Sequence, residues 1–186
     1  VASESRHPSY DQVFYTSKDS DPRLEVAMQW VDEEGEWVKS YVNGIPTTQG
    51  GTHDMGLKSG VSRAVRNYME THSLMPKNLK LGADELRDGL RAVLSAYVVN
   101  PQFKGQTKDR LNNPEVTNPI ASAVANVFEQ FLNANPKLAE AVVERIIVAA
   151  KNRAAVKEAV DLVARKAATQ RLNLPGKLAD CSSTKP

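Results

Sequence analysis

A stretch from about residue 137 to residue 172 contains neither glycine nor proline. Apolar side chains recur in it at steps that place them on one face of a helix, as Val142, Ile146 and Val163 do. At about 1.5 Å per residue such a helix spans on the order of 50 Å, which exceeds the width of a domain of this size. The stretch therefore predicts a helix that connects two bodies or packs against a partner.

The composition is that of an ordinary globular protein, with 41% apolar and 25% charged residues among 186. No run approaches the roughly 18 apolar residues of a membrane-spanning helix, and the N-terminus lacks the pattern of a signal peptide. We therefore expect a cytoplasmic protein without a membrane partner. The single cysteine, Cys181, has no partner at metal-ligand spacing, so we expect a reduced structural residue and no metal.

Strand-like alternation dominates the first third of the sequence. Residues 13–15 are strand-like, the larger apolar side chains at residues 24–30 fall on every second position, and residues 37–43 form a further strand. The acidic, glycine-containing residues 32–36 predict a hairpin turn between the last two of these strands. The apolar run at residues 90–99 predicts a central strand that is buried on both faces.

Two helices are expected before the long one. The first covers about residues 54–71 and carries an apolar stripe at steps of three and four. The second begins at Asn118, a plausible N-cap followed by a proline, and ends at Asn135. Asn135 and Pro136 repeat the pattern of a cap followed by a proline, and the long helix begins there.

Three polar side chains of complementary chemistry follow the run at 90–99. Gln106, Thr107 and Lys108 come directly after a glycine, within residues 101–110. An amide and an ammonium on either side of a hydroxyl suit an anion with several oxygens, of which phosphate is the natural candidate. The alternative is a solvated loop whose lysine and glutamine face water.

The glycine-bearing residues 44–53 lead from a strand into a helix, where backbone N–H groups can hold an anion. The segment lacks the ending of a P-loop and the glycine spacing of a dinucleotide site, so this signal is weak. His53 belongs to no constellation of serine, cysteine or carboxylate that would make it a base, which favours a structural or capping role.

Charge is unevenly distributed along the chain. Acidic side chains outnumber basic ones in residues 1–50, and basic ones outnumber acidic ones in residues 136–172. Contact with a polyanion is one interpretation, and a solvated helix face is the other. The candidate DNA-facing side chains are Arg63, Arg66, Lys151, Arg153, Lys157, Arg165 and Lys166.

Five short motifs, taken together and in order, resemble the ATPase subunits of type II DNA topoisomerases, namely the B subunit of DNA gyrase and its relative in topoisomerase IV. The motifs are Tyr41-Val42-Asn43-Gly44-Ile45, Gln49-Gly50-Gly51-Thr52-His53, Arg87-Asp88-Gly89-Leu90, Pro101-Gln102-Phe103-Lys104-Gly105-Gln106-Thr107-Lys108 and Leu174-Pro175-Gly176-Lys177-Leu178-Ala179-Asp180-Cys181. The similarity covers nearly the whole chain. It departs from the family at Gln49, where a glutamate is usual, and at Gly44 and Pro46.

This resemblance implies the second domain of that subunit, the transducer. The implied fold is α+β in two layers, with a four-stranded sheet, a left-handed β-α-β crossover and a long C-terminal helix. The implied organisation is an arm from the preceding ATPase domain at 1–9, a core at 10–135, a transducing helix at 136–172, and the start of a link to a toprim domain at 173–186.

In the family, the Gln-Thr-Lys loop reaches into the nucleotide site of the preceding domain. By that match Lys108 would contact the γ-phosphate of ATP and Gln106 would hydrogen-bond the same group. ATP and Mg²⁺ would be bound mainly by the ATPase domain, with further Mg²⁺ in the toprim domain. The implied partners are double-stranded DNA, a second copy of the subunit, and a gyrase A-type subunit carrying the cleavage tyrosine.

Alternative functions remain open from the sequence. As part of an ATP-hydrolysing topoisomerase, the chain alone is expected to be inactive, because it offers no carboxylate and asparagine pair to bind Mg·ATP and activate water. A non-enzymatic, basic DNA-contacting module is the second hypothesis, and oligomerisation through the long helix is a third. Gyrase and topoisomerase IV are not separated.

Overall fold

The computed structural model of the chain describes residues 11–76 and 79–171, and at residue 162 and residues 164–171 it describes the backbone only. The arm expected at 1–9 and the link expected at 173–186, with Cys181, lie outside the described residues. The chain divides into one compact unit of residues 1–150 and a second of residues 151–186.

The described residues form five strands and three long helices. In chain order these are β1 (Phe14–Lys18), β2 (Arg23–Trp30), β3 (Trp37–Val42), β4 (Ile45–Pro46), α1 (Thr52–Thr71), β5 (Leu90–Tyr97), α2 (Thr117–Ala134) and α3 (Pro136–Arg171). Short 3-10 turns at Glu85–Arg87 and Pro114–Val116 precede β5 and α2. The α+β class implied by the family resemblance is confirmed.

The five strands form a single sheet in the order β1-β2-β5-β3-β4. Its fifth member is the two-residue β4, which the four-stranded sheet implied by the resemblance did not include. β3 and β5 are parallel neighbours, and α1 lies between them in the chain. They therefore form the expected β-α-β crossover, whose left-handedness stays a prediction.

The hairpin predicted between residues 24–30 and 37–43 is wrong. β2 pairs with β1 and β5, whereas β3 pairs with β5 and β4. The intervening residues bond to the start of β5 instead: Val31 N–H donates to Gly89 O at 2.9 Å, and Gly89 N–H donates to Gly35 O at 2.8 Å. The turn thus separates the two strands, and β5 fills the gap between them.

Ion pairs reinforce this junction at the start of β5. The Arg87 guanidinium, 9% exposed, bonds the carboxylate of Glu36 and lies 2.9 Å from Asp84 Oδ1. Arg145 of α3 lies 3.0 Å from Asp88 Oδ2 and donates to Glu33 O at 2.6 Å. Side chains and backbone from three segments therefore converge on the residues directly before β5.

β5 is central in the sheet, as predicted, but only one of its faces is buried. Leu90, Ala92, Leu94 and Ala96 are buried, while the residues between them are intermediate. The strand ends at Tyr97, and Val99 is 94% exposed. The prediction of burial on both faces is wrong because helices cover one side of the sheet, and on the other side Arg91, Val93 and Ser95 stay partly accessible.

Helices α1 and α2 pack closely over that buried face. A Cβ added at Gly56 would lie 2.8 Å from Thr117 O, and one at Gly60 would lie 2.7 Å from Ala121 O. Trp30 of β2 stacks on Phe128 of α2 with ring centroids 5.5 Å apart. The predicted apolar stripe of α1 is confirmed, since its five members are buried: Leu57, Val61, Ala64, Val65 and Tyr68.

The boundaries of α2 correct one prediction and confirm another. The helix begins at Thr117, directly after the turn Pro114–Val116, so Asn118 lies inside the helix and is not its N-cap. At the other end, Asn135 caps the helix and its side-chain Nδ2 donates to Phe131 O at 2.9 Å. The predicted restart at Pro136 is confirmed.

α3 has the predicted length, with 36 residues. Within the first unit its stripe is part of the core, where Val142 and Ile146 are buried. Within the second unit Val156, Val160 and Val163 are more than 60% exposed. Among the described residues no helix is long and apolar enough to cross a membrane.

Candidate functional site

The Gln-Thr-Lys motif lies at the tip of a loop of residues 103–111, called here the tip loop. Phe103 and Leu111 pair as an antiparallel bridge at its base. Just inside, Lys104 N–H donates to Arg110 O at 2.8 Å, and just outside, Asn112 N–H donates to Gln102 O at 2.7 Å. The two arms of the tip loop are therefore joined as in a hairpin.

The backbone at the tip adopts an uncommon conformation. Gly105 has φ 80° and Lys108 has φ 58°. For a residue other than glycine, the left-handed region costs about 1–2 kcal/mol. Such strain persists only where the surrounding structure imposes it, and it concentrates at binding sites. Lys108 is thus held in a conformation that its own preferences disfavour.

Gln106, Thr107 and Lys108 are all exposed. Among the residues that the structure describes, none forms a hydrogen bond or ion pair with the Gln106 amide or the Lys108 ammonium. These donors carry a positive charge and directional N–H groups, and they are available to an anion. The described residues include no group of three His, Cys, Asp or Glu side chains that could hold a metal.

Asn113, which is 2% exposed, fixes the base of the tip loop. Its Oδ1 accepts from Gln102 N–H at 2.6 Å, and its Nδ2 donates to Asn100 O at 3.1 Å. Nδ2 also donates to Glu115 Oε1 at 2.7 Å, a bond that lowers the pKa of Glu115. One buried amide therefore joins the segment that enters the loop to the turn that leaves it.

The glycine-bearing segment before α1 forms the second support. Leu111, fully buried, donates its N–H to Gly50 O at 3.1 Å and accepts from Thr52 N–H at 3.2 Å. Gln49 N–H donates to Asp109 O at 2.9 Å. The sequence suggested that these N–H groups could hold an anion, but those of Gln49 and Thr52 bond the tip loop instead.

His53 supports the same segment from the core. It is fully buried, and its Nε2 lies 3.0 Å from Thr47 Oγ1, which in turn lies 2.8 Å from Ser40 Oγ. Burial lowers the pKa of His53 to about 4, so the imidazole is neutral at pH 7. This is the structural role expected from the sequence.

The sequence did not single out Asn113 or Asp109. Asn113 lies between an asparagine and a proline, a context typical of an exposed turn. Only the tertiary structure buries it. The adjacent glycines Gly50 and Gly51 are the one local signal in the sequence that another backbone approaches closely at this point.

The candidate DNA-facing residues fall into two sets. Arg63 and Arg66 are exposed on α1, where each donates one N–H to a backbone carbonyl, Arg63 to Ala121 O at 3.1 Å and Arg66 to Leu81 O at 3.4 Å. In the second unit Lys151, Arg153 and Lys157 are exposed along α3. The side chains of Arg165 and Lys166 lie outside the described residues.

In a comparison with known proteins, residues 1–162 of the chain match the family model "DNA gyrase B". The DNA gyrase B protein of Chlamydia muridarum is 40% identical over 180 residues, covering 96% of this chain and 22% of that relative. The DNA gyrase B protein of Thermotoga maritima is 39% identical over 161 residues, covering 87% of this chain and 25% of that relative. The chain thus spans about a quarter of the length of these relatives.

Two solved structures share the fold. The 43K ATPase domain of Thermus thermophilus gyrase B, in complex with an aminocoumarin, superposes with a TM-score of 0.76 at 32% identity, covering 82% of this chain and 42% of that one. The topoisomerase IV ATP binding domain of Francisella tularensis gives 0.71 at 39% identity, covering 78% and 41%. With the family model matched over most of its residues, the chain belongs to the DNA gyrase B family.

Proposed function

We propose that the chain is the transducer module of an ATP-dependent type II DNA topoisomerase, and that Gln106 and Lys108 sense the γ-phosphate of ATP. The observation that supports this most strongly is the tip loop. Its base is fixed at several points, while the amide and the ammonium at its tip are exposed and make no bond to the described residues. An ammonium held in this way is half of a phosphate site.

The proposed sensing follows from the charge of the nucleotide. ATP carries a γ-phosphate that a lysine from a neighbouring domain can bind, and ADP lacks that group. An interaction that forms with one nucleotide and is absent with the other biases the orientation of the two domains. Hydrolysis would thereby change the position of the transducer, and α3 would carry the change towards the DNA.

The remaining parts of the proposal concern the whole subunit. Residues 10–135 would be the transducer core, 136–172 the transducing helix, and 1–9 and 173–186 the connections to the ATPase and toprim domains. ATP and Mg²⁺ would be bound mainly by the ATPase domain, with further Mg²⁺ in the toprim domain, so this chain alone would not hydrolyse ATP. Double-stranded DNA, a second copy of the subunit and a gyrase A-type subunit would be the partners.

Lys108→Ala in the full-length subunit tests the sensing role. Because the γ-phosphate would lose a charge-assisted hydrogen bond, we expect ATP turnover to fall about tenfold or more, equivalent to at least about 1.4 kcal/mol. DNA supercoiling should fall with it. Lys104→Ala is the matched control, because Lys104 is an exposed lysine of the same loop. Near-normal turnover in Lys108→Ala would refute the proposal.

A DNA-contacting role is the second candidate, favoured by the exposure of Lys151 and Lys157 on α3. Binding of duplex DNA should be independent of sequence and should weaken steeply with salt. Replacing both lysines by alanine should reduce the salt slope by about one for each phosphate that is no longer neutralised. Lys137→Ala on the same helix is the control. An unchanged slope would assign these lysines to solvated surface.

The comparisons include relatives from gyrase and from topoisomerase IV. Assembly of the full-length subunit with its partner would distinguish them, since introduction of negative supercoils indicates gyrase. Decatenation without supercoiling would indicate topoisomerase IV.

A further inference from the structure

We propose that Gly51 and Asn113 are positioning residues that hold the tip loop at the height and angle needed for Lys108 to reach a phosphate. This inference rests on the proposed function, because it explains how that function is built. Gly51, in the segment before α1, pairs with Leu111, and Asn113, in the segment before α2, bonds the backbone of Asn100 and Gln102. Together they form a clamp.

Asn113 supplies a donor and an acceptor at one point. The amide oxygen accepts from the backbone at Gln102, and the amide nitrogen donates to the backbone at Asn100. Alanine can do neither, and a carboxylate can only accept. Because the side chain is 2% exposed, water cannot readily replace these bonds. The residue therefore fixes the path by which the chain enters the tip loop.

Gly51 allows its backbone to approach that of Leu111 closely. A Cβ at this position would lie 2.4 Å from Leu111 O and 2.6 Å from Leu111 N, and φ is 138°. Both the space and the backbone conformation therefore require glycine. Any side chain would push Leu111 outward and break the bonds that its backbone makes with Gly50 and Thr52.

Displacement at the clamp would be passed directly to the tip. Leu111 is only three residues beyond Lys108, and the arms of the loop are joined by backbone hydrogen bonds between them. A shift of about 1 Å in a positioned group can cost on the order of a hundredfold in rate. Gly51 and Asn113 are buried, so they would act through Lys108 and would not touch the nucleotide themselves.

The geometry of the clamp can be tested without nucleotide. In full-length Asn113→Ala, hydrogen exchange in the peptide covering residues 99–113 should become about tenfold faster, since the N–H of Gln102 loses its acceptor. Asn118→Ala, an exposed asparagine of α2, is the matched control and should leave this peptide unchanged. Unchanged exchange in Asn113→Ala would overturn the clamp.

Its consequence for sensing is tested by a double-mutant cycle. Asn113→Ala and Gly51→Ala should each lower ATP turnover several-fold to about tenfold, with ADP affinity unchanged because ADP lacks the γ-phosphate. Combining Asn113→Ala with Lys108→Ala should lower turnover no further than Lys108→Ala alone, within about twofold, since both act through one contact. Additive losses would show that Asn113 acts elsewhere and would overturn the inference.

The two proposals fail in different ways. If Lys108→Ala lowers turnover while Asn113→Ala and Gly51→Ala do not, sensing stands and the positioning role is refuted. If Lys108→Ala leaves turnover unchanged, the sensing role is refuted and the positioning role falls with it, whatever the exchange experiment shows of the loop. Gly51→Ala tests the same inference at a second contact, in case Asn113→Ala fails to fold.

Discussion

The two ends of β5 are held by different kinds of interaction. At its start, Arg87, Arg91 and Arg145 form ion pairs with carboxylates. At its end, neutral groups predominate: the Asn43 side chain exchanges two hydrogen bonds with the backbone of Val98, and Asn113 holds the base of the tip loop. One strand therefore carries a charged anchor and a neutral anchor.

The difference explains how a lysine can remain available in a folded protein. In an ion pair the carboxylate neutralises the positive charge, as it does for each arginine at the start of β5, so that charge is not available to a ligand. At the other end the carboxylates of Glu115 and Asp109 accept from neutral donors on Asn113 and Thr48, and within the described part of the chain no carboxylate pairs with Lys108. A support whose hydrogen-bond donors are neutral leaves the positive charge of Lys108 for a ligand.

The largest expected effect contrasts two glycines with almost the same φ. A Cβ at Gly89, φ 79°, would lie 2.5 Å from Val31 O and 2.4 Å from Arg145 Nε, whereas one at Gly105, φ 80°, meets nothing within 4 Å. Gly89→Ala combines backbone strain with overpacking and should lower the free energy of unfolding by about 4 kcal/mol. Gly105→Ala should cost about 1 kcal/mol.

Urea denaturation of the two variants measures this contrast. Similar losses of unfolding free energy in both variants would mean that the backbone at the start of β5 accommodates a side chain as readily as the exposed tip does. The two ends of β5 would then not differ in rigidity.

A pH titration of stability next compares the charged anchor with His53, which supports the segment before α1 beside the tip loop. The folded state lowers the pKa of His53 from 6.5 to about 4, so the unfolded state binds more protons in this window and stability falls as pH decreases. Between pH 7 and pH 5 the loss should be about 2 kcal/mol. His53→Gln, which cannot titrate, should flatten the curve over that range.

The charged anchor should respond at lower pH. Burial tends to raise the pKa of Glu36, but hydrogen bonds from Lys58 and Arg87 outweigh it and hold this pKa below 4.5. Its contribution is present above the unfolded pKa of 4.5 and is lost only as pH falls below that value. A curve that stays flat from pH 7 to pH 5 in the unmodified protein would contradict the assigned role of His53.

The smallest effect concerns an exposed member of the charged anchor. Arg91 Nη2 lies 2.7 Å from Glu33 Oε2, but the Glu33 side chain is 69% exposed. Glu33→Gln should therefore lower the free energy of unfolding by less than about 1 kcal/mol, and added salt should reduce the difference further. A loss as large as that of Gly89→Ala would mean that this pair contributes far more to the free energy of unfolding than an exposed ion pair does.

Local pattern predicted the elements of this fold better than their pairing. The stripe of α1 and the break at Asn135 follow from apolar periodicity and capping chemistry, which act within a few residues. Strand partners depend on distant residues, so β2 and β3, although close in sequence, are separated by β5. Similarly, the sequence offered Gln106 and Lys108 as candidates but not Asn113, because only the tertiary structure buries that residue.

The sheet order also has a consequence for the order of synthesis. β5 lies at the centre of the sheet, yet it is the last strand of that sheet in the chain. Until residues 90–97 have emerged from the ribosome, no strand joins the β1–β2 pair to the β3–β4 pair. The edges of β2 and β3 that later bond β5 are unpaired during that time. The sheet is therefore complete only when β5 has been synthesised. A nascent chain that stalls earlier leaves both of these edges exposed, and exposed strand edges are prone to aggregation.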